Sequence, residues 1–363
     1  MRRSILTIAM GVFVAAAVGA AVWFNLTRPR VLILHSYETE YVWVHDINIA
    51  LKRVFEKHSW IDVRYHHMDT KKLSSEDHLR RAGIAARKAI EDNRPDVVIA
   101  FDDNAQKLAV MYFNDHPTIK IVFAGLNGSI EPYGYHKAKN VTGILERKPA
   151  AAIQEVLAIL SNDPHNRIGR EGKPVRALFL GDKSSSVKHD GEHLASFKWD
   201  SMAYLGLKTV DTFEDWKKAV MSAEGQADVL LVGGYRRLRG ANVGAKTRRV
   251  YVKPEEVMAW TEANAPIPVI GMNVFNTEDG AMLSVGVSPF EQADVAASMA
   301  LRIIEKGEKP NAIPVQTSRL YVISLREEAL KRRRIRVPGV FEAFARATDN
   351  YIDAPSGTKV SEK

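Results

Sequence analysis

Cysteine is absent from all 363 residues. A disulfide framework, a thiolate nucleophile and a cysteine-ligated zinc site are thereby excluded. Phosphate loops are missing as well: neither G-x-x-x-x-G-K-[ST] nor G-x-G-x-x-G occurs, and no G-x-S-x-G elbow presents a serine nucleophile. No internal repeat of about 20 to 50 residues is visible, which argues against a solenoid or propeller. What is present is ordinary for a folded chain. Hydrophobic residues make up 46% and charged residues 26%, enough to bury a core and to exclude disorder as the main state. The net charge of +8, from 51 basic against 43 acidic residues, is mild for this length. It fits an acidic partner, an anionic membrane surface or no specific partner.

Arg2 and Arg3 precede an uncharged stretch from Ser4 to Leu26, after which Arg28 and Arg30 return. Residues 1–29 therefore read as a signal peptide or a single membrane anchor, with the leading arginines on the cytoplasmic side. Small residues at Ala20 and Ala21 suit cleavage, while the run is also long enough to span a hydrocarbon layer of ~30 Å at about 1.5 Å per residue. The remainder is expected to be periplasmic or extracytoplasmic. Without a cysteine behind the stretch no lipoprotein anchor can form, and an incomplete twin-arginine pattern favours ordinary Sec export.

Beyond residue 30, short β-branched runs alternate with helix-length amphipathic stretches. The strands expected are Val31 to Leu34, Asp62 to Tyr65, Val97 to Phe101, Ile119 to Ala124, Ala177 to Leu180, Val229 to Val232 and Val269 to Gly271. The helices expected are Asp46 to His58, Ser75 to Asp92, Asn104 to Asn114, Ala150 to Leu160 and Ser186 to Leu205. This order predicts an α/β fold with parallel sheets covered on both faces. Ser74-Ser75-Glu76-Asp77 resembles a capping box. Ser288-Pro289 opens a helix whose Phe290, Ala293, Ala297, Ala300 and Ile304 share one face, with Gly307 as its stop. Breaks at Asn140 to Ile144, Ser284 to Ser288 and Gly307 to Pro314 suggest two lobes joined by three crossings. Lobe 1 is read as 30–143 with 288–310, lobe 2 as 144–287 with 311–352, and 353–363 as a flexible tail.

The sequence of motifs resembles the ABC-transporter substrate-binding-protein-like family. The matching stretches are Val31-Leu-Ile-Leu-His-Ser-Tyr37 with Trp43, His67-Met-Asp-Thr-Lys71, Asp96-Val-Val-Ile-Ala-Phe-Asp-Asp-Asn104, Ile121-Val-Phe-Ala-Gly-Leu-Asn127 and Asn140-Val-Thr-Gly143. Later come Gly280-Ala-Met-Leu-Ser-Val-Gly286, Glu305-Lys-Gly-Glu-Lys-Pro310, Ile313-Pro-Val315 and Leu320-Tyr-Val-Ile-Ser-Leu325. The Arg-rich stretch Tyr235 to Arg249 departs from the pattern in length and charge. The resemblance implies two Rossmann-like lobes with a three-crossing hinge, of the type I periplasmic-binding-protein kind. It implies an exported solute-binding protein that captures a small organic ligand in an interlobe cleft and passes it to an ABC permease. The alternative is a membrane-anchored sensing module that partners a separate signalling protein, and the inner membrane is a partner if the N-terminal segment stays uncleaved.

In open parallel sheets, ligands bind beyond the carboxyl ends of the strands, where loops and helix N-termini converge. The candidate ligand-binding residues are thus Ser36, Tyr37, Trp43, Asp69, Thr70, Asp102, Asp103, Asn104, Gly125 and Asn127 in lobe 1. Lobe 2 contributes Asp182, Lys183, Ser184, Tyr235, Arg236 and Asn273. Aromatic walls with a few orienting polar groups are the usual composition of a small-molecule pocket. Bland roles compete: Asp103 and Asn104 as helix caps, Ser36 as a turn residue, Trp43 as core.

Enzymatic readings are weaker. His189-Asp-Gly-Glu-His193 fits H-x-x-E-H, yet Gly191 weakens the helix and a third zinc ligand is not placed, so a solvated helical face is expected. His66 and His67 sit on opposite faces of a strand, which disfavours joint ligation. No catalytic residue, metal or cofactor is expected. Arg236, Arg237 and Arg239, with Lys246, Arg248 and Arg249, read as an anion contact or a solvated loop. Lys331 to Arg336 would suggest nucleic acid in a cytoplasmic protein, but export excludes that partner and leaves a surface helix end or an anionic lipid contact.

Overall fold

The computed structural model describes residues 2–73, 75–170, 172–240 and 251–353, with side chains from residue 10 onward. Ser74 of the capping sequence, Lys246, Arg248 and Arg249 of the basic stretch, and the tail from residue 354 lie outside the described residues.

The chain begins with α1 (Arg2–Thr27), β1 (Arg30–His35), α2 (Val42–Phe55), β2 (Asp62–His67), α3 (Glu76–Asn93), β3 (Val97–Phe101), α4 (Asp102–Leu108), β4 (Lys120–Leu126) and β5 (Val141–Leu145). It continues through α5 (Ala150–Asn162), β6 (Val175–Asp182), α6 (Ser185–Ser196), β7 (Met202–Val210), α7 (Phe213–Met221), β8 (Val229–Val232), α8 (Pro254–Asn264), β9 (Val269–Gly271), α9 (Val274–Glu278) and β10 (Leu283–Val287). Last come α10 (Pro289–Lys306), β11 (Gln316–Thr317), β12 (Tyr321–Arg326), α11 (Glu327–Arg333), α12 (Gly339–Ala347) and β13 (Tyr351–Ile352). The chain forms two compact units, 1–144 with 292–316 and 145–291 with 317–363, and passes from one to the other three times.

Unit 1 is built on a sheet of order β11-β5-β4-β3-β1-β2. The pairs β1/β2, β1/β3 and β3/β4 are parallel. Every residue of β3 is buried, as a strand covered on both faces requires, whereas β2 at the edge is only half-buried. Ser75 caps α3 by accepting the His78 amide, and Arg94 ends that helix in the left-handed conformation. The predicted alanine face of α10 is buried at Ala293, Ala297 and Ala300, with Ile303 rather than Ile304 completing it, and Gly307 stops the helix at φ 63.

Unit 2 carries a sheet of order β13-β12-β10-β9-β8-β6-β7. Its strands are parallel from β7 to β10, so the expected parallel sheet is present, and β10 and β12 add an antiparallel pairing to it. The reason lies in the path. The chain leaves β10 at Val287 and returns at Tyr321, its register partner, so β12 has to run back along β10. Two cores cover this sheet, one including Phe179, Leu231 and Val285, the other Leu180, Leu230 and Trp216. Neighbours in one strand face opposite layers.

The helix expected to reach Leu205 stops at Ser196, and β7 follows from Met202. Its burial does not alternate cleanly and Gly206 has φ 99, so the edge strand lacks the two-residue period that would have marked it. The stretch expected as a helix from Asn104 to Asn114 is the short α4 followed by a 3₁₀ turn over Val110–Phe113.

Gly143 in β5 leaves no room for a methyl group: a Cβ there would lie well inside contact distance of the Phe123 carbonyl oxygen and ring. Gly143→Ala is expected to lower unfolding free energy by about 2–3 kcal/mol, read from urea midpoints. Gly339→Ala, where nothing lies within 4 Å, should be neutral or stabilising.

Candidate functional site

Each sheet contains the same reversal of strand order. In unit 1 the order β2-β1-β3-β4 turns back between β1 and β3; in unit 2 the order β7-β6-β8-β9 turns back between β6 and β8. At such a switch point the two following connections leave in opposite directions and open a crevice at the carboxyl ends of the strands.

At the unit 1 switch point the predicted residues come together. Ser36 Oγ donates to the Phe101 carbonyl at 2.7 Å and accepts the Ala105 amide at 2.7 Å. Thr70 Oγ1 donates to the Ser36 carbonyl at 2.6 Å, and Asn104 Nδ2 donates to Thr70 Oγ1 at 2.8 Å. Trp43 Nε1 donates to Asp102 Oδ1 at 3.1 Å. Asp102 sits at φ 67 and Gly125 at φ 64, and the place of a Gly125 Cβ is 3.1 Å from Asp102 Oδ1, so glycine gives both the conformation and the clearance. Asp103 accepts the Tyr133 hydroxyl at 3.1 Å and the Asn127 amide at 3.4 Å. Neither Asp103 nor Asn104 caps α4, whose N-cap is Phe101. Half-buried Tyr37 has the Lys71 ammonium 4.4 Å from its ring centre, and Tyr41 stands edge-on to it at 5.5 Å. Asp69, at φ 54, is half-buried beside them in sequence. Ser36, Thr70 and Asp102 are buried framework, while Tyr37, Trp43, Asp69, Asp103, Asn104 and Asn127 keep part of their surface open.

His35, one residue before Ser36, is fully buried. Its Nε2 lies 2.9 Å from Asn48 Oδ1, and its ring stacks on His67 at 4.9 Å and on Phe101 at 5.1 Å. Burial first, and the neighbouring His67 second, depress its pKa from 6.5 to about 3, with the Asn48 contact opposing.

The predicted unit 2 residues divide. Asp182 is buried and accepts the Ser184 amide at 2.9 Å and the Arg237 amide at 3.0 Å, so its carboxylate fastens the loops after β6 and β8. Ser184 caps α6, and Lys183 is exposed. Tyr235 is a correction: it is wholly buried, edge-on to Trp216 at 5.7 Å, with its hydroxyl donating to Asp279 at 2.6 Å. Its ring belongs to the core. Arg236 pairs with the same Asp279 carboxylate at 3.2 Å and lies over the Phe275 ring.

Asn273, at the end of β9, meets a group that the sequence pattern did not single out. Lys148 Nζ donates to Asn273 Oδ1 at 2.7 Å and lies 3.3 Å from Glu146 and 3.7 Å from Asp190. The three charged side chains expose a tenth of their surface or less. One ammonium thus serves two buried carboxylates, an arrangement that tolerates the loss of either partner poorly.

The H-x-x-E-H stretch is not assembled as a metal site. His193 Nε2 is 3.0 Å from the Lys148 carbonyl oxygen, Glu192 is exposed and pairs with Lys188, and no cluster fit for a metal occurs among the described residues. Part of the Lys331 to Arg336 run is structural. Arg333, the last residue of α11, donates to buried Glu262 at 2.6 Å and to the Ala265 carbonyl at 2.9 Å, so this member of the run is tied into the fold.

His35 makes a pH prediction. It stays neutral when folded but protonates below pH 6.5 when unfolded, so its stabilisation is complete above 6.5 and is lost as pH falls towards 3. At about 1.4 kcal/mol per pH unit, roughly 2 kcal/mol should disappear between pH 7 and 5. Urea unfolding of His35→Gln at the two pH values is expected to show a fall smaller by that amount.

The family described as ABC transporter substrate binding protein has a sequence model that matches residues 240–348. No curated protein matches. Solved structures do. A conserved domain protein from Vibrio cholerae aligns at TM-score 0.62 and 15% identity, over 88% of this chain and 98% of its own. The ligand-free, open form of a substrate-binding protein with adhesive properties from Clostridium difficile aligns at 0.59 and 17%, over 90% of this chain and 100% of its own. An ABC domain in complex with L-Trp from Streptococcus pneumonia aligns at 0.60 and 12%, over 90% and 100%. At these identities the structures establish the fold. In sequence over residues 240–348 and in fold across both units, this chain is similar to the ABC transporter substrate-binding proteins.

Proposed function

We propose that the protein is an exported substrate-binding protein that holds a small organic ligand at the switch-point loops of its first sheet and delivers it to an ABC-type importer. The observation that carries this reading is the unit 1 switch point, where residues from the ends of β1, β2, β3 and β4 converge around Asp102 with partly open aromatic and polar side chains. The family match over 240–348 supports it independently. Capture is non-covalent: aromatic faces supply apolar contact, and Asp103, Asn104 and Asn127 fix orientation. No nucleophile or metal enters the scheme. Export rests on the apolar stretch Met10–Thr27 within α1, which meets the length and composition of a membrane span or signal. If that helix is retained, the same fold also suits a tethered sensor.

The ligand class can be found by thermal-shift screening that starts with aromatic amino acids, because a structurally similar protein is described with L-Trp. A ligand at 100 times its Kd should add about 2.7 kcal/mol of stability. Trp43→Ala and Asp103→Ala are expected to lose that shift while still melting cooperatively. A full response in both variants would place binding elsewhere.

A further inference from the structure

The end of unit 1 opposite the switch point is tied to α1 by only two residues, Arg28 and Pro29. Two extended residues reach roughly 7 Å. Arg28 pairs with Asp62 at 3.0 Å at the start of β2, and the Arg30 amide donates to Asp96 just before β3, so the link is fastened to the sheet. The strands β1, β3 and β4 are parallel, with Val31 beside Val97 and Val97 beside Lys120. Their N-terminal ends therefore form one edge, and Lys120 stands two strands, roughly 10 Å, from the point where α1 joins.

At that edge lies a hollow of about 710 Å³ whose wall includes His116, Lys120, Lys139 and Lys309. Its two acidic residues are engaged internally. Asp115 accepts the Lys139 amide at 2.8 Å, and Glu308 is held by Arg302. His116 Nδ1 accepts the Ile119 amide at 3.1 Å, which leaves Nε2 as the proton-bearing donor. Lys120 Nζ is steadied by the Pro117 carbonyl at 3.2 Å, while Lys139 and Lys309 are exposed. Three lysines and a histidine thus line a hollow at the end of the sheet that α1 leads into.

We propose that this hollow receives the phosphodiester headgroup of an anionic phospholipid in the membrane that α1 enters. The proposal rests on the reading of α1 as a retained anchor. The two-residue link, roughly 7 Å long, is comparable to the screening length of a membrane's surface charge, about 8 Å.

The test uses the full chain in nanodiscs of dioleoylphosphatidylcholine alone or mixed equally with dioleoylphosphatidylglycerol, with amide hydrogen exchange read over residues 116–120 and 307–311. Exchange is expected to slow several-fold only with phosphatidylglycerol, and that protection should vanish in the Lys120→Gln, Lys139→Gln, Lys309→Gln variant, melting as the parent does. Equal exchange in the two bilayers, or protection that survives the triple substitution, overturns the site. Equal protection by millimolar inorganic phosphate in phosphatidylcholine discs overturns the lipid as its source. Intact mass of the protein from cell membranes reports separately on the anchor: loss of residues 1–29 overturns retention, whereas the nanodisc result reads the hollow alone.

Discussion

Ser36 bridges two strand ends that the topology would otherwise let diverge. Its hydroxyl satisfies the last carbonyl of β3 and the amide of Ala105 in α4, while its own carbonyl takes both the amide and the hydroxyl of Thr70. The ladder thins out here, where the Ser36 amide reaches the Phe101 carbonyl only at 3.3 Å, and buried backbone groups without partners are costly. This one side chain therefore holds the ends of β1, β2 and β3 in register and lets Asp102 adopt its left-handed backbone. Trp43, Asp103 and Asn104 stand where they do because that corner is fixed. In unit 2 the corresponding duty falls on Asp182, a charged group that fastens the loops after β6 and β8 through two amides.

The two corners differ in how their charges are used. Unit 1 presents carboxylates and aromatic rings with a lysine over two tyrosines, and these side chains retain accessible surface. In unit 2 the charges near the strand ends are largely spent on one another: Arg236 and the Tyr235 hydroxyl on Asp279, Lys148 on Glu146 and Asp190. Asp279 has its pKa raised to about 6, chiefly by burial, with Arg236 opposing. Buried groups of this kind set the shape of a loop more than they bind solute.

Much of the fold was legible because buried parallel strands are nearly continuous apolar runs. Val97–Phe101 and Val229–Val232 begin and end where their apolar runs do. The post-strand rule names residues that meet at the unit 1 corner because a polar residue closely follows each strand there: Ser36 after β1, Asp69 after β2, Asp102 after β3 and Asn127 after β4. At Tyr235 it named a residue whose ring lies in the core beside Trp216. It also missed Lys148, Glu146 and Asp190. Two lie just after β5 and one within α6, and only folding brings them together. β7 was hidden because an edge strand with a glycine at positive φ carries no alternating pattern to read.

Because the chain passes between units three times, neither unit is encoded by one continuous stretch. A ribosome that has made the first 290 residues has delivered all of β1 to β10 but not α10, whose Gln292 side chain accepts the Gly125 amide. The core of the first unit stays uncovered at that stage, and β10 still lacks its antiparallel neighbour. Synthesis therefore runs past residue 290 before either half has all of its elements, and closing each unit is left to the last fifth of the chain.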